Sequence, residues 1–431
     1  MWPQALPGSD AVLFTTMTGL GALAEATVMV QRVSDAEPKV LVRGGHYGRY
    51  VESGHLLYVS QGTVFAAAFD LQSLSIGAAV PVIEGVQFNE LSGGSQFSVS
   101  RTGTLIFVPG SAAGVERRLG LLSQRSGILP IPSQLGVWGT PRFAPDGRRV
   151  AITRTVGANT DVWTYDFERE ALLPITVENG AQSAPVWTRD GRRIAYGSAG
   201  RQGGPQNLFW KRSDGTGEAQ QLTKAPLAQL PSDWHPTRPI LAFHDGTPPG
   251  AQRVMLLEID GDEASGWRPR EPTELFAGQY RNVMPVFSPD GNWIAYLSNK
   301  SKRFELYVRP FPGPGDEVMV SNGGANDPKW SRQRRELLYS TFGASGGTDA
   351  QIMVAPYAIV NNTFVPEKPR LWSPTRIAAP PLGQFGLYTD LHPDGQRFVV
   401  ATQPETPSRA QNTAVVVFNF FEDLKRRVPA K

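Results

Sequence analysis

The chain has 431 residues, 40% of them hydrophobic and 19% charged, with a formal net charge of +3. The apolar content is ample for a packed core, and the small charge, with no dense Lys/Arg run apart from Lys425-Arg426-Arg427, gives a nucleic-acid partner little electrostatic basis. Cysteine is absent, which excludes disulfides, thiol catalysis and thiolate metal sites.

In chain order, weak strand–turn–strand units come first: Leu6-Pro7-Gly8-Ser9 to Leu13-Phe14, Glu52-Ser53-Gly54 to Leu57-Tyr58, and Arg101-Thr102-Gly103 to Ile106-Phe107. A sharper phrase follows at Phe143-Ala144-Pro145-Asp146-Gly147 to Ile152, and returns at Trp187 to Tyr196, Phe287 to Tyr296 and Leu391 to Val400. Copies at Trp234 to Phe243 and Trp330 to Tyr339 keep the spacing but have lost Asp-Gly. Asp-Gly closes a tight turn, because Gly tolerates positive φ and Asp bonds its own backbone. The aromatic before it and the β-branched run after it make a hairpin. Third strands such as Val162-Trp163-Thr164-Tyr165 and Leu306-Tyr307-Val308, then fourth strands such as Gln221-Leu222-Thr223, complete each period; Ala414 to Phe418 is a further blade strand. Four antiparallel strands repeated every ~40–50 residues are the blades of a β-propeller, with about nine units in all.

The catalytic candidates are weak. Gly343-Ala344-Ser345-Gly346-Gly347 matches G-x-S-x-G but lies between two strand-like runs, where a nucleophile elbow needs a strand before it and a helix after it. His392 and Asp390 follow it only within the next repeat phrase. The five histidines, His46, His55, His235, His244 and His392, form no close ligand pair, and His235 and His392 hold the position of Ala144, Thr188 and Ser288. No phosphate loop and no kinase catalytic motif is present. Trp187, Trp234 and Trp330 share a fixed register and are expected to pack between blades, whereas Trp138 stands outside that register. Asn361-Asn362-Thr363 is a glycosylation sequon of no evident use here. The sequence thus predicts no catalytic residue, no metal site and no cofactor.

A ligand is expected where the loops entering the innermost strands rim one mouth of the channel. Counting back from each aromatic gives Trp138 with Thr140, Gln182 with Ser183, Gln229 with Ser232, Arg281 with Asn282, Asn326 with Asp327, and Tyr388 with Thr389. These residues are mostly polar and vary from blade to blade, as a binding rim requires. A protein, a peptide or a small ligand is the partner expected there.

The Ser-Pro-Asp-Gly-x-x-Ile-Ala-Tyr phrase resembles the TolB-like, WD-like (PD40) propeller repeat. Longer strings, among them Pro185 to Tyr196, Pro285 to Ser298, Tyr50 to Tyr58 and above all Tyr307-Val308-Arg309-Pro310-Phe311-Pro312-Gly313-Pro314-Gly315, resemble the C-terminal sensor region of bacterial eukaryotic-type Ser/Thr protein kinases. That resemblance implies a regulatory or sensing module without catalytic residues of its own. In that family a kinase domain, and usually a membrane helix, precede the propeller. Similar propellers also accompany prolyl-oligopeptidase-type peptidases, and a peptidase-associated propeller or a propeller hydrolase is the alternative function.

The expected fold is all-β: a six-bladed TolB-like propeller over residues 133–431, preceded by three units over residues 1–132 that form a partial second propeller. One larger ring is the alternative. No segment reaches the ~20 apolar residues of a membrane helix, and Met1 to Gly8 does not read as a signal peptide. A literal start implies a cytoplasmic protein. A fragment of a membrane-anchored kinase would instead be extracytoplasmic, and Trp2 to Leu6, which reads as a strand with no lead-in, favours a fragment or a misplaced start.

Overall fold

A computed structural model describes residues 1–429 except 9, 18–22, 24–25, 61, 89–92, 110–117, 133–135, 157–158, 179, 201–203, 247–249, 277, 342–348, 379–388 and 403–413. The chain forms two compact units, Val115–Glu405 and a smaller one made of Met1–Gly114 with Thr406–Lys431. Both are built from antiparallel sheets, and the α-helix among the described residues is Phe420–Arg427.

The larger unit is a six-bladed ring. Its innermost strands are Val137–Phe143 (blade 1), Gln182–Trp187 (blade 2), Gln229–Trp234 (blade 3), Asn282–Phe287 (blade 4), Asn326–Trp330 (blade 5) and Thr389–Leu391 (blade 6). Each touches the next in order, and the strand of blade 6 touches that of blade 1, so the ring closes at six and the single larger ring is excluded. Blades 1 to 5 take their strands consecutively from the chain. Blade 6 does not. Its inner strand Thr389–Leu391 pairs with Arg397–Thr402, which pairs with Arg118–Ser123 from the other end of the unit, and that strand pairs in turn with Gly127–Pro130. Strand pairing thus draws the partition differently from a division at 132/133: residues 118–130 belong to the ring, and Val415–Val417 pairs with Leu105–Phe107 in the smaller unit.

The repeat phrase explains how blades join. The aromatic that ends an inner strand is buried and reaches back one blade: Trp187 Nε1 donates to the Arg142 carbonyl at 2.9 Å, and Trp330 Nε1 to the Val286 carbonyl at 3.1 Å. The turn glycines are held in a second way. Gly147 (φ 74°) and Gly291 (φ 73°) sit under the imidazoles of His392 and His235 from the preceding blade, where an added Cβ would lie 2.5 and 2.6 Å from a ring nitrogen or carbon. His392 stands edge-on to Phe143 and His235 edge-on to Phe287. These two histidines are therefore blade-to-blade packing groups.

The smaller unit contains a sheet of Gln4–Ala5, Ala11–Thr16, Thr27–Arg32 and Lys39–Arg43, and a second of His46–Val51, His55–Ser60, Thr63–Asp70 and Ser75–Ile76 with Val80–Ile83 on the same third strand. A third sheet joins Phe97–Val99 and Leu105–Phe107 to Val415–Val417. The helix Phe420–Arg427 then buries Phe420 and Leu424 in the core with Leu57, Phe97 and Leu105. His55 Nε2 lies 2.6 Å from the Val428 carbonyl and ties down the helix end.

Candidate functional site

The residue before the last residue of each inner strand projects to the opposite side of the strand. In chain order these residues are Arg142, Val186, Asp233, Val286, Lys329 and Asp390. Val186 and Val286 enter apolar clusters shared with the next blade, beside Trp234 and Trp330. Ionisable side chains hold this position in blades 1, 3, 5 and 6. Each inner strand of blades 1 to 5 carries a bulge just before this position, with left-handed backbone at Thr140, Ala184, Met284 and Asp327. The bulge re-aims the side chains that follow it.

Blades 5, 6 and 1 share one ionic network. Arg142 Nη1 lies 3.3 Å from Asp390 Oδ1 and 3.8 Å from Asp327 Oδ1. Lys329 Nζ pairs with Asp327 and stands 4.0 Å from Asp390 Oδ1. Asp327 also accepts from the Thr389 hydroxyl at 2.8 Å. Burial lowers the Lys329 pKa, and the Arg142 charge adds to this, while Asp327 and Asp390 oppose it. Burial raises the Asp390 pKa against the pull of Arg142 and Lys329.

Asp233 is arranged differently. Its carboxylate accepts the Phe287 N–H of blade 4 at 2.9 Å and its neighbour's Trp234 N–H at 3.0 Å, with no cation at ion-pair distance among the described residues. It is half-buried, with its two oxygens engaged by backbone N–H groups. Desolvation therefore dominates and lifts its pKa to about 6, against the Phe287 hydrogen bond and the more distant charges of Arg142 and Arg332.

The rim residues expected from the sequence lie at the opposite ends of the same strands. Trp138 is buried, with the Arg154 guanidinium 5.3 Å above its ring. The buried Gln182 amide, oriented to donate, reaches the Thr160 carbonyl at 2.6 Å and Asp161 at 3.2 Å. Gln229 accepts from the Thr223 hydroxyl. Arg281 is part-exposed; its Nε donates to Gln252 Oε1 at 2.8 Å and its guanidinium covers Phe304. The Asn282 N–H donates to the Gln252 carbonyl at 2.8 Å, and the buried Asn326 carbonyl accepts from Ser340 Oγ at 3.2 Å. Asp327 belongs to the ionic network. Thr140 faces Thr153, Ser183 donates to Gln206, and Thr389 meets Asp327. Tyr388 and the Gly343–Gly347 stretch lie outside the described residues.

These inner-strand charges were missed by reasoning from loops. Their signal is in the sequence: a charged residue directly before the aromatic, as in Pro141-Arg142-Phe143, Ser232-Asp233-Trp234 and Pro328-Lys329-Trp330, within otherwise uncharged strand ends. The remaining histidines also have separate settings. His46 bonds the Gly93 carbonyl at 2.7 Å, and His244 is buried, with its pKa lowered to about 4 by desolvation and then by the Arg281 charge. Among the described residues, no group of three or more His, Asp or Glu is placed to hold a metal ion, and no helix is long and apolar enough to cross a membrane.

No family model matches the chain. A stretch of 77 residues is 35% identical to the Tol-Pal system protein TolB of Thioalkalivibrio sulfidiphilus; it covers 18% of this chain and only 16% of that protein. Among solved structures, a protein assigned as a TolB of Agrobacterium tumefaciens superposes with a TM-score of 0.53 at 14% identity, over 67% of this chain and 98% of its own. TolB of Acinetobacter baumannii superposes with a TM-score of 0.44 at 12% identity, over 83% and 79%. The Agrobacterium likeness agrees with the strand topology: the fold is a TolB-like β-propeller.

Proposed function

We propose that this TolB-like propeller is a non-catalytic binding scaffold and serves as the sensing part of a Ser/Thr kinase-type protein. One observation carries the scaffold reading. The inner-strand charges of blades 5, 6 and 1 are committed to seams between blades: Arg142, Asp327, Lys329 and Asp390 neutralise one another, and Asp390 and Asp327 also bond backbone N–H groups of a neighbouring blade. Such a network fixes the ring and leaves its two faces, varied from blade to blade, to meet a partner. The kinase part of the reading rests on the sequence strings, chiefly Tyr307 to Gly315.

The DNA flanking the coding frame tests this reading. Read upstream in the same frame, it is expected to encode a protein kinase catalytic domain. In-frame stop codons there, together with a hydrolase domain encoded downstream, would overturn it.

A further inference from the structure

The turns joining the first two strands carry an unusual charge. Those of blades 1, 2 and 5 hold Arg148, Arg189, Arg192, Arg332, Arg334 and Arg335, all exposed and none in an ion pair among the described residues. The repeat register makes them equivalent. Arg189 and Arg332 both stand two residues after the aromatic, where the inner strand leaves the channel, and Arg148, Arg192 and Arg335 stand five after it. The acids within these turns are engaged by backbone: Asp146 accepts the Arg148 N–H at 2.9 Å and Asp190 the Arg192 N–H at 3.0 Å.

The three turns are linked. Arg332 Nη1 donates to the Pro145 carbonyl at 3.4 Å across 187 residues, joining the turn of blade 5 to that of blade 1 past blade 6, whose own turn acid, Asp394, is paired with Arg397. Arg149 Nη2 donates to the Gly191 carbonyl at 3.3 Å, joining blade 1 to blade 2. Farther from the axis, on the same side of the ring, the turns between third and fourth strands of blades 1 to 3 carry the exposed acids Glu168, Glu170, Asp214 and Glu263, the last two paired with Arg212 and Arg193, whereas the corresponding turns of blades 5 and 6 carry none. A basic inner patch, with acids beyond it in blades 1 to 3, is a local feature that the net charge of +3 conceals.

We infer that this turn-side mouth binds an acidic protein segment, with glutamate or aspartate side chains engaging the unpaired guanidiniums. The inference rests on the scaffold reading and names the chemistry of its partner. Arginine offers a planar fork that matches a carboxylate in two parallel hydrogen bonds. A long polyanion such as nucleic acid would also meet the outer carboxylates of blades 1 to 3.

The test is anisotropy of a fluorescein-labelled hexaglutamate peptide titrated with the full chain at low salt. Saturable binding is expected, weakened about tenfold or more in R189A/R332A and strongly reduced by physiological salt, as for exposed charges within a Debye length. Because Arg332 also bonds Pro145, the variant R192A/R335A serves beside it; both replaced side chains are exposed, so folding is expected to survive. Absence of peptide binding, binding by both variants as tight as by the unmodified chain, or tighter binding of a single-stranded hexanucleotide would overturn the inference. Such a failure leaves the kinase-linked scaffold reading standing if the upstream frame encodes a kinase, so the two are separable.

Discussion

The backbone N–H of Phe143 donates to the carboxylate of Asp390 at 2.7 Å, across 247 residues of chain. Asp390 ends the ring and Phe143 begins it, and Arg142, the residue before Phe143, pairs with the same carboxylate. Asp233 makes the equivalent bond to Phe287, 54 residues on, at an interior seam. One inner-strand aspartate thus closes the ring by a device also used inside it.

Replacing Asp390 by Ala removes the acceptor and leaves Arg142 and Lys329 short of a counter-charge. Breaking a buried pair in this way costs about 3–5 kcal/mol. Asp390→Asn keeps an oxygen for the Phe143 N–H and is expected to cost clearly less. Urea denaturation of the two variants checks the order; equal losses would mean that the hydrogen bond and the ion pair are not separable.

Asp233 makes stability depend on pH in an unusual direction. Its folded pKa, about 6, lies above the ordinary carboxylate value, so the folded state holds the proton more tightly than the unfolded chain does. Its contribution is therefore favourable in acid and is lost as pH rises from about 4 to 6. Asp233→Asn should stabilise the protein at pH 8 by roughly 1–2 kcal/mol, a figure reduced for the partial exposure of the side chain, and the gain should vanish near pH 4. Melting curves at both pH values read this; a variant less stable at pH 8 would show that the charge is needed.

The loop-side residues divide by burial. Asp327→Ala is expected to cost several kcal/mol, about what losing a partner from the buried network costs. Arg281→Ala removes a part-exposed side chain and should cost about 1 kcal/mol or less. Arg281→Ala is therefore the cleaner probe of a loop-side ligand: weaker binding with a nearly unchanged melting temperature would place Arg281 in a binding rim, and unchanged binding would exclude it.

Much of this architecture was legible in the sequence, because the phrase around Asp146-Gly147 recurs with its aromatic in register. Every inner strand of the ring ends on a residue that the repeat identified: Phe143, Trp187, Trp234, Phe287, Trp330 and Leu391. The outer strands of blade 6 were not legible. Arg118–Ser123 follows no Asp-Gly turn of its own, and its partner Arg397–Thr402 is nearly 300 residues away, beyond any local signal. The inner-strand charges escaped for another reason. Arg142, Asp233 and Lys329 sit inside the phrase, where a charged residue reads as surface until the ring turns it inward.

Limited proteolysis tests the partition of the chain. Strand pairing leads us to expect a resistant fragment running from near residue 118 to near residue 402, retaining Arg118–Pro130. A resistant fragment that begins near residue 133 would show that those strands are dispensable.

The closure of blade 6 is open to one direct measurement. The chain has no cysteine, so a designed pair supplies its only thiols. Arg118 and Thr402 are register partners, with the Thr402 hydroxyl donating to the Arg118 carbonyl at 3.0 Å. Arg118→Cys with Thr402→Cys should form an intramolecular disulfide under mild oxidation, as readily as a control pair at Thr155 and Thr160, register partners within blade 1 whose hydroxyls lie 2.8 Å apart. A control that cross-links while the Arg118–Thr402 pair stays reduced would contradict a ring closed by strands from its two ends.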